Sequence, residues 1–338
     1  ALALPALIGC SDVVVDGSGG NGGGGGGASG TGGVGGGGGT GGLGVGGGGG
    51  GLPAERAIPG IAFVDTSTNE VKLATKLADD WTIETVEAFS QAASYVTLAS
   101  DSGGTPHLAY QDPISKVLKY ATRTGSTWIT QVVDSNGETG AWAFLAVDSE
   151  DRPHIAYVRT DTNELLYAIR NGSTWSSEKA ADAVGASLFS IGLFIDDFGA
   201  AHISYLDSGT TRDVRYARKQ ASWSSERVAT FATTGLESRT SLVVDASGTP
   251  HITVYDLGAG LHHLEKTGGA WVDEVVAPGT MATGQYPSLH LDSNHELACG
   301  YADFGAGSAK LALQVGESWT LETADDDIEK WVVSLSMD

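Results

Sequence analysis

Histidine is the side chain best suited to acid–base work near neutral pH and a common metal ligand. Four of the eight in this chain recur at one place in a repeating unit: His107, His154, His202 and His251, each after Pro or Ala at the head of an alternating apolar run. Recurrence at one repeat position argues for packing and hydrogen bonding rather than four separate catalysts. Gly60 and Ala298 stand at that position in the first and sixth units, which fits a structural role. His262, His263, His290 and His295 fall outside the pattern, and His290 lies where it can face a central channel.

Carboxylates recur as well. Asp65, Asp112, Asp207, Asp256 and Asp303 follow the aromatic residue that ends the same run, and the third unit has Arg159 and Asp161 there. Such a ring is a negative funnel, and oxygen ligands of this kind suit Ca²⁺ or another hard cation. The alternative is that each Asp caps its own turn. The segments entering the preceding strand break the repeat and carry Tyr95, Trp142, Phe189, Arg239, Tyr286 and Trp331. Aromatic rings beside carboxylates are the equipment of a carbohydrate site, because sugars stack C–H faces on rings and hydrogen-bond to Asp. The same rings would equally serve to plug a channel mouth. These aromatics and Arg239, with Asp112, Asp207, Asp256 and Asp303, form the candidate ligand-binding set.

What positions them is a repeat. Trp81, Trp128, Trp175, Trp223, Trp271 and Trp319 are spaced by 47, 47, 48, 48 and 48 residues. Asp101, Asp148, Asp196, Asp245 and Asp292 open recurring turns, most of them Asp-x-x-Gly, where Asp bonds the backbone ahead and Gly takes positive φ. Between these markers the chain alternates with period 2, giving four short strands per unit. Four antiparallel strands every 47 or 48 residues describe a β-propeller blade. The first unit opens at a second strand (Pro59–Asp65), and Ser334–Asp338 repeats the pattern of Ser241–Asp245. The fold expected is therefore all-β: a six-bladed β-propeller of four-stranded antiparallel blades over residues 52–338, closed by the C-terminal strand.

Two resemblances add to this. The turns Arg123–Trp128 (RTGSTW) and Arg170–Trp175 (RNGSTW) resemble the Asp-box of sialidase-like propellers. The Gly and Trp persist, while Lys76, Arg123, Arg170, Arg218, Lys266 and Gln314 replace its acid. The resemblance implies a propeller and no activity. Residues 1–10, ending Leu7-Ile8-Gly9-Cys10, resemble the lipobox closing a bacterial lipoprotein signal peptide, which implies lipidation of Cys10 and a membrane anchor in the cell envelope, periplasmic or surface-exposed. No basic n-region or initiator Met precedes it, so the sequence is read as starting inside the signal peptide. Residues 11–51 are read as a disordered Gly-rich tether. Its Gly-dominated part, about 35 residues, would span roughly 30–35 Å as a coil.

A net charge of -22 repels phosphate backbones and excludes nucleic acid as a favoured partner. Two cysteines, Cys10 and Cys299, in segments of different character support no disulfide framework. The FRIP-type motif and arginine triad of sialidases, a glycosidase carboxylate pair, a Gly-x-Ser-x-Gly elbow, a His-Glu-x-x-His zinc site and a nucleotide loop do not appear. No catalytic residue, metal-ligand set or cofactor is assigned. The function expected is a monomeric, surface-tethered binding module for a glycan or protein. The alternative is a polysaccharide-active hydrolase or lyase using top-face Asp, Arg239 and His290.

Overall fold

A computed structural model of the chain describes residues 60–325 except 78–79, 94, 183–190, 208–211, 232–239, 280–282, 293 and 295. The described residues form six antiparallel sheets and no helix. The first blade contributes three strands, Gly60–Asp65, Glu70–Leu77 and Asp80–Ala88. Blade 2 has Val96–Ser100, Pro106–Gln111, Leu118–Thr124 and Thr127–Asp134; blade 3 has Ala141–Val147, Pro153–Arg159, Glu164–Asn171 and Thr174–Ala181. Blade 4 has Ile191–Ile195, Ala201–Asp207, Arg212–Lys219 and Trp223–Phe231; blade 5 has Thr240–Val244, Pro250–Asp256, Gly260–Thr267 and Ala270–Pro278. Blade 6 has Thr283–Leu291, Leu297–Asp303, Ser308–Val315 and Ser318–Asp325. The segment expected to complete blade 1 lies outside the described residues, as do Cys10 and the glycine tract.

The first strand of each four-stranded blade packs beside the first strand of the next, so these strands form the inner wall. Polarity rises outward along each blade. Pro153–Arg159 is buried for six of its seven residues, whereas Ser318–Asp325 is mostly exposed. A strand buried on both faces suits the β-branched and small residues found there, and an outer strand carries its charges in water. The core lies between blades as stacked clusters, such as Val158, Leu165 and Tyr167 with Ile191, Leu193 and Ile203 across blades 3 and 4.

The recurring Asp and His residues build one device. In blade 3, Asp148 Oδ1 accepts the backbone N–H groups of Glu150 and Arg152 at 3.0 and 2.8 Å, which closes the turn. Its Oδ2 lies 3.0 Å from His154 Nε2. His154 Nδ1 lies 2.5 Å from the hydroxyl of Tyr167 on the third strand. The two side chains meet diagonally across the ladder, since Tyr167 pairs with Ala156, two residues beyond His154. The Tyr167 ring then receives the edge of Trp223 from blade 4, at 5.2 Å and 68°. Asp196–His202–Tyr216 with Trp271, and Asp101–His107–Tyr120 with Trp175, repeat this arrangement. Each edge-to-face pair adds about 0.5–1.5 kcal/mol beyond area burial.

His107, His154 and His202 are thus structural, as their periodicity implied. Burial holds the His107, His154 and His202 imidazoles below their ordinary pKa, against the pull of the Asp each one bonds. The basic residues that replace the Asp-box acid are structural too. Arg123 and Lys266 reach the outer-strand Glu84 and Glu226 of the preceding blade, at 2.9 and 2.5 Å. Arg170 lies over the Tyr120 ring, 5.3 Å from its centroid.

Candidate functional site

Second-to-third strand turns and the segments entering the inner strands share one face. Thr139 N–H donates to Lys116 O, and Gly279 N–H donates to Ala259 O, each across a blade boundary. On this face the structure joins two of the expected aromatics. Trp142 Nε1 donates to the Tyr95 hydroxyl at 2.9 Å, and the rings lie 6.2 Å apart at 43°. Both are half-buried, at the entry to adjacent inner strands of blades 2 and 3.

The sequence around Trp142 explains its placement. Thr139, fully buried, accepts from the Leu118 N–H at 3.1 Å and donates to Asp134 O at 2.7 Å, while Gln111 Nε2 bonds its carbonyl at 2.7 Å. Gly140 follows with φ of 84°, and a Cβ there would sit 2.8 Å from Leu118 Cα. Only glycine permits that approach to the preceding blade. The inner ladder then skips a register between Ala141 and Phe144, and Trp142 takes φ of 50° at that irregularity. Positive φ is strained for a bulky side chain and needs support from its surroundings. Blade 6, opposite in a six-membered ring, repeats the motif as Thr283-Gly284-Gln285-Tyr286, with Gly284 at 98° and Tyr286 at 52°.

Tyr286 nevertheless differs from the expectation of a ligand-facing ring. It is 2% exposed and packs edge-on against Phe304 at 6.1 Å, so it fills the wall. Of the candidate aromatics and Arg239, the structure brings Tyr95 and Trp142 together; Phe189, Arg239 and Trp331 lie outside the described residues.

Asp112 and Asp303 serve their own turns, in line with the second of the two readings of the sequence. Asp112 Oδ1 accepts from the Ile114 and Ser115 N–H groups at 2.8 and 3.0 Å. Burial opposes its ionisation, but those N–H groups outweigh it and hold the carboxyl below its ordinary pKa. Asp303 accepts from the Ala306 N–H at 3.1 Å, and Asp207 pairs with Arg215 at 2.9 Å. Asp256 is buried at the blade 5 turn. Arg159 pairs with Glu164 at 2.9 Å. His290 Nε2 lies 3.3 Å from Ser288 Oγ on its own inner strand, and His295 lies outside the described residues.

Sequence reasoning missed three partners: Tyr120, Tyr167 and Tyr216. Their signal was present, since the third strands read LKYATRT, ELLYAIRN and RDVRYARK with tyrosine in register. Blade 5 puts His263 in that register.

The architecture is that of a six-bladed β-propeller. The sequence matches no family model and no curated protein. Among solved structures, the chain is similar to AofleA from Arthrobotrys oligospora, at 12% identity over 80% of this chain and 84% of that one, TM-score 0.53. It is also similar to a polysaccharide lyase, an ulvan lyase bound to -[GlcA(1-4)Rha3S]-, at 14% identity over 81% and 82%, TM-score 0.59. At such identities the likeness is one of fold.

Proposed function

We propose that this propeller binds a glycan on the face that carries Tyr95 and Trp142. One observation carries the reading: a half-buried Trp142 at positive φ in a ladder irregularity, two residues after a glycine pressed against Leu118, with its indole N–H fixed on the Tyr95 hydroxyl. Backbone strain of about 1–3 kcal/mol concentrates where the structure needs a side chain aimed in a particular direction. The two rings, tilted rather than parallel, make an angled platform suited to the apolar face of a sugar. A related use of the fold exists in the ulvan lyase, whose structure holds a glycan. The acidic surface favours neutral or cationic saccharides over sulfated ones.

Lipidation of Cys10 belongs to the same proposal: the glycine tract would hold the propeller off a bacterial membrane, its binding face free to meet envelope or extracellular polysaccharide. No helix among the described residues is long and apolar enough to cross a membrane.

The experiment is a glycan array followed by calorimetry on the strongest hit. Trp142→Ala should weaken binding by at least tenfold, and Tyr95→Phe, which removes the acceptor of the indole N–H, by a smaller factor. Equal binding by wild type and Trp142→Ala would overturn the site. Release of reducing ends or unsaturated products from a polysaccharide panel would replace a binding module with a hydrolase or lyase. Fatty-acid labelling in a bacterial host, lost in Cys10→Ser, tests the anchor separately.

A further inference from the structure

Blade 5 carries a second constellation, on the face opposite Tyr95 and Trp142. His251 and His263 lie side by side, their ring planes 8° from parallel and their centroids 5.2 Å apart, and His251 Nδ1 lies 3.0 Å from His263 Nε2. Glu265, paired directly across the ladder from His251, brings Oε2 to 3.9 Å from His251 Nδ1. One ligand atom from each of these three residues falls within a 4.8 Å cluster. The outer nitrogens also face carboxylates. His251 Nε2 is 3.5 Å from Asp245 Oδ2, and His263 Nδ1 is 2.8 Å from Glu274 Oε1. The same Glu274 oxygen accepts the indole N–H of Trp319 from blade 6 at 2.8 Å.

Counting hydrogens separates this blade from its neighbours. In blades 2 to 4 two contacts in series, Asp to His and His to Tyr, use two hydrogens: one from the imidazole and one from the phenol. Both are available in neutral rings. In blade 5 three contacts run in series, Asp245 to His251 to His263 to Glu274, and two neutral imidazoles supply two hydrogens. If each ring gives its hydrogen to its carboxylate, the lone pairs of His251 Nδ1 and His263 Nε2 point at one another. That is the arrangement in which a metal-binding histidine is held, its far N–H donated to a carboxylate that fixes the tautomer. Both rings have such a carboxylate.

We propose that His251 Nδ1, His263 Nε2 and Glu265 Oε2 bind a divalent transition ion of the Zn²⁺ class. Two imidazoles and a carboxylate are borderline ligands suited to zinc, cobalt or nickel rather than to calcium. Metal–nitrogen bonds of about 2.0–2.1 Å at a tetrahedral angle put two ring nitrogens roughly 3.3 Å apart, close to the separation here. Closing the third ligand requires a rotamer adjustment of Glu265, whose side chain is 36% exposed and therefore movable. Its exposed side leaves the fourth position to water. His251 and His263 are 7% and 1% exposed, so the ion would be held against the blade 5–blade 6 boundary and would tie the two blades together.

The test uses the full chain without a polyhistidine tag, stripped with EDTA and titrated with Zn²⁺ alone by calorimetry, then with Co²⁺ to read the visible bands of a tetrahedral site. One ion should bind per chain and raise the melting temperature. Glu265→Gln should weaken binding at least tenfold. His263→Tyr installs the hydrogen-bonding residue of the neighbouring blades, so it should fold and lose the ion. Zn²⁺ binding of equal strength in wild type and His263→Tyr would overturn the proposal. So would a wild type that binds no ion and melts alike in EDTA and Zn²⁺, in which case the pair is bridged by an additional proton.

Discussion

Blades 3 and 5 hold the same three ladder positions with different chemistry. In blade 3 they are Asp148, His154 and Tyr167, a closed circuit of neutral donors against one carboxylate. In blade 5 they are Asp245, His251 and His263, and the exchange of a phenol for a second imidazole leaves the circuit one cation short. The backbone register is the same in both, with the third-strand residue opposite the position two beyond the histidine. A single side chain therefore converts a fastening into a candidate binding site without moving a strand. The lesson is that repeat proteins place function where one copy departs from the grammar of the others.

The largest effect should separate the two blades directly. His154→Leu leaves the buried Tyr167 hydroxyl without its acceptor and strips Asp148 Oδ2 of one donor, Arg152 being the one that stays, and should cost about 2–3 kcal/mol in urea unfolding. His251→Leu should cost clearly less, because the Asp245 side chain is 25% exposed and water can solvate it, against 2% for Asp148. Equal costs would break the distinction. Tyr167→Phe comes next. It removes only the donor to His154 Nδ1 and should cost about 1–2 kcal/mol.

Acid should then loosen blades 2 to 4 as a group. His107, His154 and His202 have depressed pKa values in the fold, so between the unfolded and folded values the unfolded chain binds more protons. Stability therefore rises with pH through this window and falls as pH drops below about 6.5, the ordinary histidine value. Each ring faces its Asp and Tyr, with Arg170 near His107, Arg152 and Lys219 near His154, and Arg218 near His202, and these cations reinforce the depression. Melting temperatures measured from pH 8 to pH 5 should decline, and a flat profile would contradict neutral buried rings. The smallest effect is expected from His263→Tyr in the presence of EDTA. With no ion to lose, the substitution should change stability by less than about 1 kcal/mol, since a tyrosine there can donate to His251 as its counterparts do.

Much of this was legible in the chain. The tryptophan spacing specified the number of blades, the Asp turns located the loops between first and second strands, and period-2 runs such as Pro153–Arg159 placed the second strands. The periodic histidines were read as structural on periodicity alone, which the contacts of His107, His154 and His202 bear out. Other features were hidden because they depend on which faces of different blades meet. A spacing of 47 or 48 residues says that Trp175 and Trp223 occupy equivalent positions in successive copies, but not that Tyr167 of one blade touches Trp223 of the next. The contrast between Trp142 and Tyr286 was equally invisible. Both follow Thr-Gly-x and both take positive φ, yet Phe304 covers one while Tyr95 meets the other. The hydrogen deficit in blade 5 required Glu274 to be seen beside His263, and a separation of eleven positions along the chain conceals that pairing.

The Asp–His–Tyr fastening has a direction, because its tyrosine sits in one blade and the tryptophan that covers it in the next. Each unit thus behaves like a cassette with one matching end on either side. A duplication or deletion of whole units between blades 2 and 5 would present every tyrosine with a tryptophan and every tryptophan with a partner. Such an event would leave only ring closure to be readjusted. At blades 1 and 6 the positions of histidine and tyrosine are held by Gly60 and Leu73, and by Ala298 and Leu311, so the ends are not interchangeable with the middle. Gene lineages built on this unit should accordingly vary in length by multiples of a blade, gained or lost from the interior of the array and conserved at its two ends.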